Sequence, residues 1–175
     1  MREGIRGRSR AIAFGALVAV ALAAPGAVSA NTTGGGGGAG ATVNVVAVTF
    51  ANKLVVDVTL DITCQPFVQF DWSGVPTGVT TTSGTIVGNV SLMQAQGRTI
   101  AHASGSINPP TQNGPAVTCD GSTFRVTVPV VAQDLPLRRG AAVVTAEIAM
   151  YPTVPCCDSW SVDSINLGPT SVKIG

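Results

Sequence analysis

The chain has 175 residues, 45% of them hydrophobic and only 11% charged, with a formal net charge of +1 and a single histidine, His102. Four of its ten basic residues, Arg2, Arg6, Arg8 and Arg10, stand at the start, so residues 31–175 carry six cations against eight acids, a balance of −2. A polyanion is held by clustered cations, and only Arg138 and Arg139 are adjacent in that region, which excludes nucleic acid as a partner.

In chain order, the basic start is followed by an apolar run over residues 11–24 and by Ala27-Val28-Ser29-Ala30, a small-residue cleavage pattern. Residues 1–30 therefore read as a secretory signal peptide. As a helix the apolar run would rise only about 21 Å, short of the roughly 30 Å hydrocarbon core of a bilayer. No cysteine near the cleavage pattern can take a lipid and no hydrophobic tail closes the sequence, so a secreted, extracellular product without a membrane anchor after signal cleavage is expected. Residues 31–41 contain the consecutive glycines Gly34 to Gly38 and read as a flexible leader, leaving 42–175 as a single domain.

Within that domain Leu54, Val56, Val58, Leu60, Ile62 and Cys64 share one parity against Asp57, Thr59, Asp61 and Thr63. Period-two alternation predicts a strand with the apolar set facing a core. Phe124, Val126, Val128 and Val130 repeat the pattern against Arg125 and Thr127. Further strands are predicted over 42–50, 67–72, 85–93, 141–151 and 159–165, with a last piece near 171–174. The alanine-rich segment from Ala141 is assigned to sheet because Val143, Val144 and Thr145 are β-branched. Turn chemistry falls at Pro76 with Gly78, Asn108-Pro109-Pro110, Asn113-Gly114-Pro115, Asp120-Gly121 and Arg139-Gly140. Asp120-Gly121 predicts a hairpin between a strand ending at Cys119 and one starting near Thr123, and Pro129 predicts an edge or a bulge. About seven or eight short strands read as an all-β, antiparallel β-sandwich, with a small barrel as the alternative.

The cysteines are Cys64, Cys119, Cys156 and Cys157, and an exported chain predicts disulfides among them. Cys64 and Cys119 fall on inward parities, which favours pairing them and leaves a vicinal Cys156–Cys157 bond; the two crossed pairings stay open. No C-x-x-C spacing accompanies the lone histidine, so no metal and no cofactor are expected.

Catalytic chemistry finds little footing. His102 lies in Ala101-His102-Ala103-Ser104-Gly105, which lacks the G-x-S-x-G elbow of a serine hydrolase. Asp57 and Asp61 share an outward face but stand about 13 Å apart along a strand, too far for a glycosidase pair. Neither Asp158 nor Asp163 lies in a calcium-loop pattern. The stretch from Phe67 to Trp72 concentrates aromatics, with Val68, Phe70 and Trp72 expected in the core and Phe67 outward beside Gln69 and Asp71. Phe67 is therefore a candidate contact residue, and Tyr151 and Trp160, flanking the double cysteine, are a second pair. Asn31-Thr32-Thr33 and Asn89-Val90-Ser91 match the N-glycosylation sequon, but the scarcity of lysine beside abundant alanine, glycine and arginine looks bacterial, and both are read as chance matches.

Through Thr63-Cys64, Val117-Thr118-Cys119-Asp120-Gly121 and Phe124-Arg125-Val126-Thr127-Val128, the chain resembles small secreted actinobacterial proteins of unknown function with an immunoglobulin-like β-sandwich. The resemblance implies that fold and a Cys64–Cys119 bridge, and carries no catalytic residue across. Trp72 only eight residues after Cys64, and the lack of a tyrosine two positions before Cys119, depart from true immunoglobulin domains. Together these readings predict a secreted, non-enzymatic binding or surface-interaction module for an extracellular protein, glycan or small ligand. The alternatives are an enzyme inhibitor or small-ligand carrier, acting through residues 107–115 or the double-cysteine loop, and an extracellular hydrolase using Ser104 and His102.

Overall fold

The computed structural model describes residues 40–107, 115–154 and 159–175. These residues form eleven strands and no helix: β1 (Thr42–Asn52), β2 (Val55–Thr63), β3 (Phe67–Phe70), β4 (Pro76–Thr81), β5 (Ser83–Gln96), β6 (Thr99–Ser106), β7 (Ala116–Thr118), β8 (Thr123–Ala132), β9 (Gly140–Pro152), β10 (Ser159–Trp160) and β11 (Asp163–Ile174). The predicted all-β class holds; the piece expected over 159–165 is split between β10 and the start of β11, which runs on through the piece expected near 171–174. Two strands, β4 and β6, are additional to the predicted set. Pro76 opens β4, where its missing N–H costs least, and Gly78 at φ 81° takes up a register shift in its pairing with β3.

Strand pairing departs from the expected sandwich. The order β6-β8-β2-β1-β11-β9-β5 is closed by β5–β6 pairing, so seven strands form a ring, a β-barrel. An odd-membered ring cannot alternate direction all the way round, so at least one neighbouring pair must run parallel. That pair is β1 and β11, in register at Val48 and Ile174, with Gly175 exchanging backbone hydrogen bonds with Val48 and Phe50 at 3.0 Å each. Closure removes the sheet edges that a sandwich leaves exposed. Pro129 lies inside the ring where β8 meets β6; their ladder is confined to Ala103–Ala132 and Ser104–Val131, beyond the residue that cannot donate. A separate small sheet, β10-β3-β4, adjoins the barrel.

The interior follows the alternation read from the sequence. Val56, Val58, Leu60 and Ile62 of β2 are fully buried, facing Ile86, Val90 and Leu92 of β5 and Val144, Ile148 and Met150 of β9 in one core cluster. Each such side chain contributes about 1.5–3 kcal/mol of burial. Leu54, expected on this face, is instead 56% exposed, because Asn52 Oδ1 accepts the Leu54 and Val55 N–H groups and turns the chain before β2 begins. The outer wall carries cross-strand pairs: Asp61 opposite Arg125, bidentate at 2.7 and 2.9 Å, and Thr63 opposite Thr123, hydroxyl to hydroxyl at 2.8 Å.

At each end of the barrel a segment of chain packs against the core. At one end the segment between β8 and β9 folds inward, burying Leu137, whose N–H donates to the Lys53 carbonyl at 2.7 Å. Buried Gln94 clamps it: Nε2 donates to the Arg138 carbonyl at 2.7 Å and Oε1 accepts the Arg138 N–H at 2.9 Å. Arg139 lies over the Phe50 ring, 5.6 Å from its centroid.

At the other end Cys64 and Cys119 form a disulfide, both sulfurs fully buried, with Cα atoms 4.8 Å apart. It joins the end of β2 to the end of β7, which hydrogen-bonds to β5 on the far side of the ring. The Asp120-Gly121 turn forms, with Gly121 at φ 88° and Asp120 Oδ1 accepting the Ser122 N–H, but the flanking strands are not a hairpin. β7 pairs with β5 while β8 pairs with β2, and Gly121 N–H donates to the Cys64 carbonyl at 2.9 Å. The turn carries the chain from one wall to the other beside the disulfide.

Candidate functional site: an exposed tryptophan hairpin

Around the small sheet the parity reading is reversed at Phe67 and Trp72, while Val68 and Phe70, expected in the core, are half-buried. Phe67 is only 1% exposed and enters the core, while Trp72 is 98% exposed. Gly84 explains the inversion: a Cβ at that position would lie 2.6 Å from the Phe67 ring, so the ring occupies the space a side chain would need. Phe67 is thereby removed from the contact candidates. The anchor is reinforced from β10 and its continuation, where Ser161 Oγ accepts the Val68 N–H and Ser161 N–H donates to the Val68 carbonyl, both at 2.8 Å.

From this base β3 and β4 project a tight turn organised by one carboxylate. Asp71 Oδ1 accepts from the Ser73 N–H at 2.9 Å, the Ser73 hydroxyl at 2.7 Å and the Val75 N–H at 2.9 Å. The Asp71 N–H in turn donates to the Val75 carbonyl at 2.9 Å, and Gly74 sits at φ 82° where a side chain would be strained. These hydrogen bonds, the Ser73 hydroxyl first and the Val75 N–H next, hold the Asp71 carboxyl below its ordinary value. The turn is locked by its own polar groups, and Trp72 takes no part in the lock. Its side chain is presented to solvent, and Val75 and Val79 further along the chain are also 56% and 50% exposed. Burying a side chain of this size would return roughly 4–6 kcal/mol of gross hydrophobic free energy that the isolated chain forgoes.

The remaining sequence candidates are scattered. Tyr151 is 44% exposed near the end of β9, opposite Thr85. Trp160 pairs with Gln69 at the base of the same small sheet, half-buried, its indole Nε1 enclosed without a hydrogen-bond partner among the described residues. Cys156 and Cys157, and nearly all of the proline-rich segment 107–115, lie outside the described residues.

His102 and Ser104 project from the outer face of β6, but nothing links them as base and nucleophile. Asp134 Oδ1 accepts the His102 backbone N–H at 2.8 Å, and Ser104 Oγ accepts from Gln133 Nε2 at 3.0 Å. A triad needs its carboxylate on the imidazole and the imidazole on the hydroxyl. Among the described residues no group of three potential metal ligands forms.

Sequence reasoning missed Trp72 as an exposed group, although the signal was present: Asp71-Trp72-Ser73-Gly74 is a turn-forming tetrapeptide, and a residue at the crest of a turn has no core to enter. No protein-family model, curated protein or solved structure matches the chain.

Proposed function

We propose that the chain is a secreted, non-enzymatic interaction module that engages an extracellular protein partner through the Trp72 hairpin. The observation that carries this reading is a tryptophan 98% exposed on a turn whose conformation is set independently of it. Large aromatics dominate the energetics of protein recognition, and a pre-ordered turn lowers the entropy lost on docking. The closed barrel supplies a rigid mount, and the Cys64–Cys119 disulfide fits an oxidising compartment outside the cell. The resemblance to small secreted actinobacterial proteins supports the same compartment, while their immunoglobulin-like sandwich is at odds with the closed ring of strands.

The test compares retention of the secreted chain and its Trp72→Ala variant on protein extracted from the envelope of the producing cells, before and after protease treatment. Retention that is sensitive to protease and lost in the variant is expected. Equal retention of both proteins, or retention that survives protease, refutes the hairpin as a protein contact.

A further inference from the structure

The outer wall of the barrel carries a second feature, built on strands other than those of the hairpin. Strand register aligns Ser106 with Asn89, Asn89 with Glu147, and Glu147 with Asn166, so β6, β5, β9 and β11 contribute one side chain each to a single row. All four residues are exposed. Two clefts, of about 450 and 490 Å³, share Asn89, Glu147 and Asn166 as lining residues. One extends towards Val87 and Ser164, the other towards Ser91 and Thr145. β5 and β9 approach closely at this row, since a Cβ at Gly88 would meet the Glu147 carbonyl at 2.5 Å. On β11 the register shifts between Leu167 and Thr170, bulging Gly168 away from β9.

The donor set of this groove limits what it can hold. Among the described residues it contains a carboxylate, carboxamides and hydroxyls, and no lysine, arginine or histidine lines either cleft. An anionic ligand would meet Glu147 with no compensating cation. A calcium ion, which takes 6–8 oxygen ligands with several carboxylates, finds one carboxylate here. A neutral polyhydroxylated ligand meets neither objection: its hydroxyls donate to Glu147, and the Asn89 amide donates to a neighbouring ring or hydroxyl oxygen. Adjacent strands lie about 4.8 Å apart, so Asn89 to Asn166 spans roughly 10 Å, which suits consecutive sugar rings better than a monosaccharide. Asn166, Ser106 and Ser164 already hold interactions of their own, so Glu147 and Asn89 are the groups offered first.

We infer that the row Asn89, Glu147 and Asn166 is a binding site for a neutral oligosaccharide, separate from the Trp72 hairpin and independent of the function proposed for it. The test is isothermal titration calorimetry of the secreted chain with cello-, malto-, chito- and mannohexaose, run in parallel on Glu147→Gln, Asn89→Ala and Trp72→Ala. At least one sugar is expected to bind, with affinity at least tenfold weaker in each of the first two variants and unchanged in Trp72→Ala. Because Glu147 and Asn89 are exposed, their variants should unfold at the wild-type urea midpoint, which separates loss of binding from loss of fold. The inference is overturned if none of the four sugars binds, if Glu147→Gln and Asn89→Ala bind as wild type, or if only Trp72→Ala loses affinity. Calcium alone giving the only binding heat overturns it equally.

Discussion

Replacing Cys64 and Cys119 together with alanine removes the disulfide that ties the β2 wall to the strand attached to β5. The bridge closes a sequence separation of 55 residues. For a loop of that length the chain-entropy model gives about 14 cal/mol/K, or about 4 kcal/mol at room temperature, released to the unfolded chain when the crosslink is lost. That is a large share of a typical net stability of roughly 5–15 kcal/mol. With a urea m-value of about 2 kcal/mol/M, the unfolding midpoint should fall by about 2 M. Circular dichroism in urea checks this on three samples: the oxidised secreted chain, the same chain with dithiothreitol, and the double variant. The second and third should agree, because alanine and a reduced thiol leave the same loop open. A midpoint shift below about 0.5 M would show that the unfolded chain is not the state the bridge constrains. Peptide mapping that joined Cys64 or Cys119 to Cys156 or Cys157 would refute the pairing itself.

Further expectations concern the hairpin, its anchor and one buried acid. Gly84→Ala should lower stability by about 1–3 kcal/mol in urea titrations, since the new Cβ would crowd the Phe67 ring and would lie 2.9 Å from the Tyr151 carbonyl oxygen; an unchanged midpoint would mean the ring can move aside. Trp72→Ala should leave stability within about 0.5 kcal/mol of wild type while removing the acrylamide-accessible component of tryptophan fluorescence. Asp71→Ala deletes the acceptor of three hydrogen bonds, and faster decay of Trp72 fluorescence anisotropy is the expected result. Burial holds the Asp163 carboxyl above its ordinary value of 3.8. Below that value the group is protonated in both folded and unfolded chains, so its contribution is fully present; as pH rises towards the raised folded value, the unfolded chain releases the proton first and stability falls. Asp163→Asn should therefore match wild type at about pH 3 and gain on it by about pH 7, and parallel urea midpoints at both values would refute the assignment.

Different parts of the molecule were legible to different degrees. The facing of β2 and the burial of Cys64 followed from alternation, because a strand's side-chain period is a property of its own backbone. Asp120-Gly121 announced a turn correctly but not its use, since Asp120 and Gly121 set local φ and say nothing about whether β7 and β8 become neighbours. Parity failed at β3, where the absence of a side chain at Gly84, seventeen positions after Phe67, admits the Phe67 ring, while Trp72 lies past the strand's end in a turn. β6 was overlooked because small and polar residues such as Ala101, Ala103 and Gly105 give little hydrophobic signal, although two of them are buried.

Composition and alternation alone determined an all-β domain with an apolar strand face and inward cysteines, because those features depend only on which side chains occur at successive positions. Tertiary structure alone decided that the strands close into a ring through a parallel β1–β11 pair, that the Phe67 ring enters the core against Gly84, and that Asn89, Glu147 and Asn166 share a row. Each of these rests on register between segments distant in the chain. Register is settled by competition among whole strands for partners and packing space, and no short window of sequence contains it.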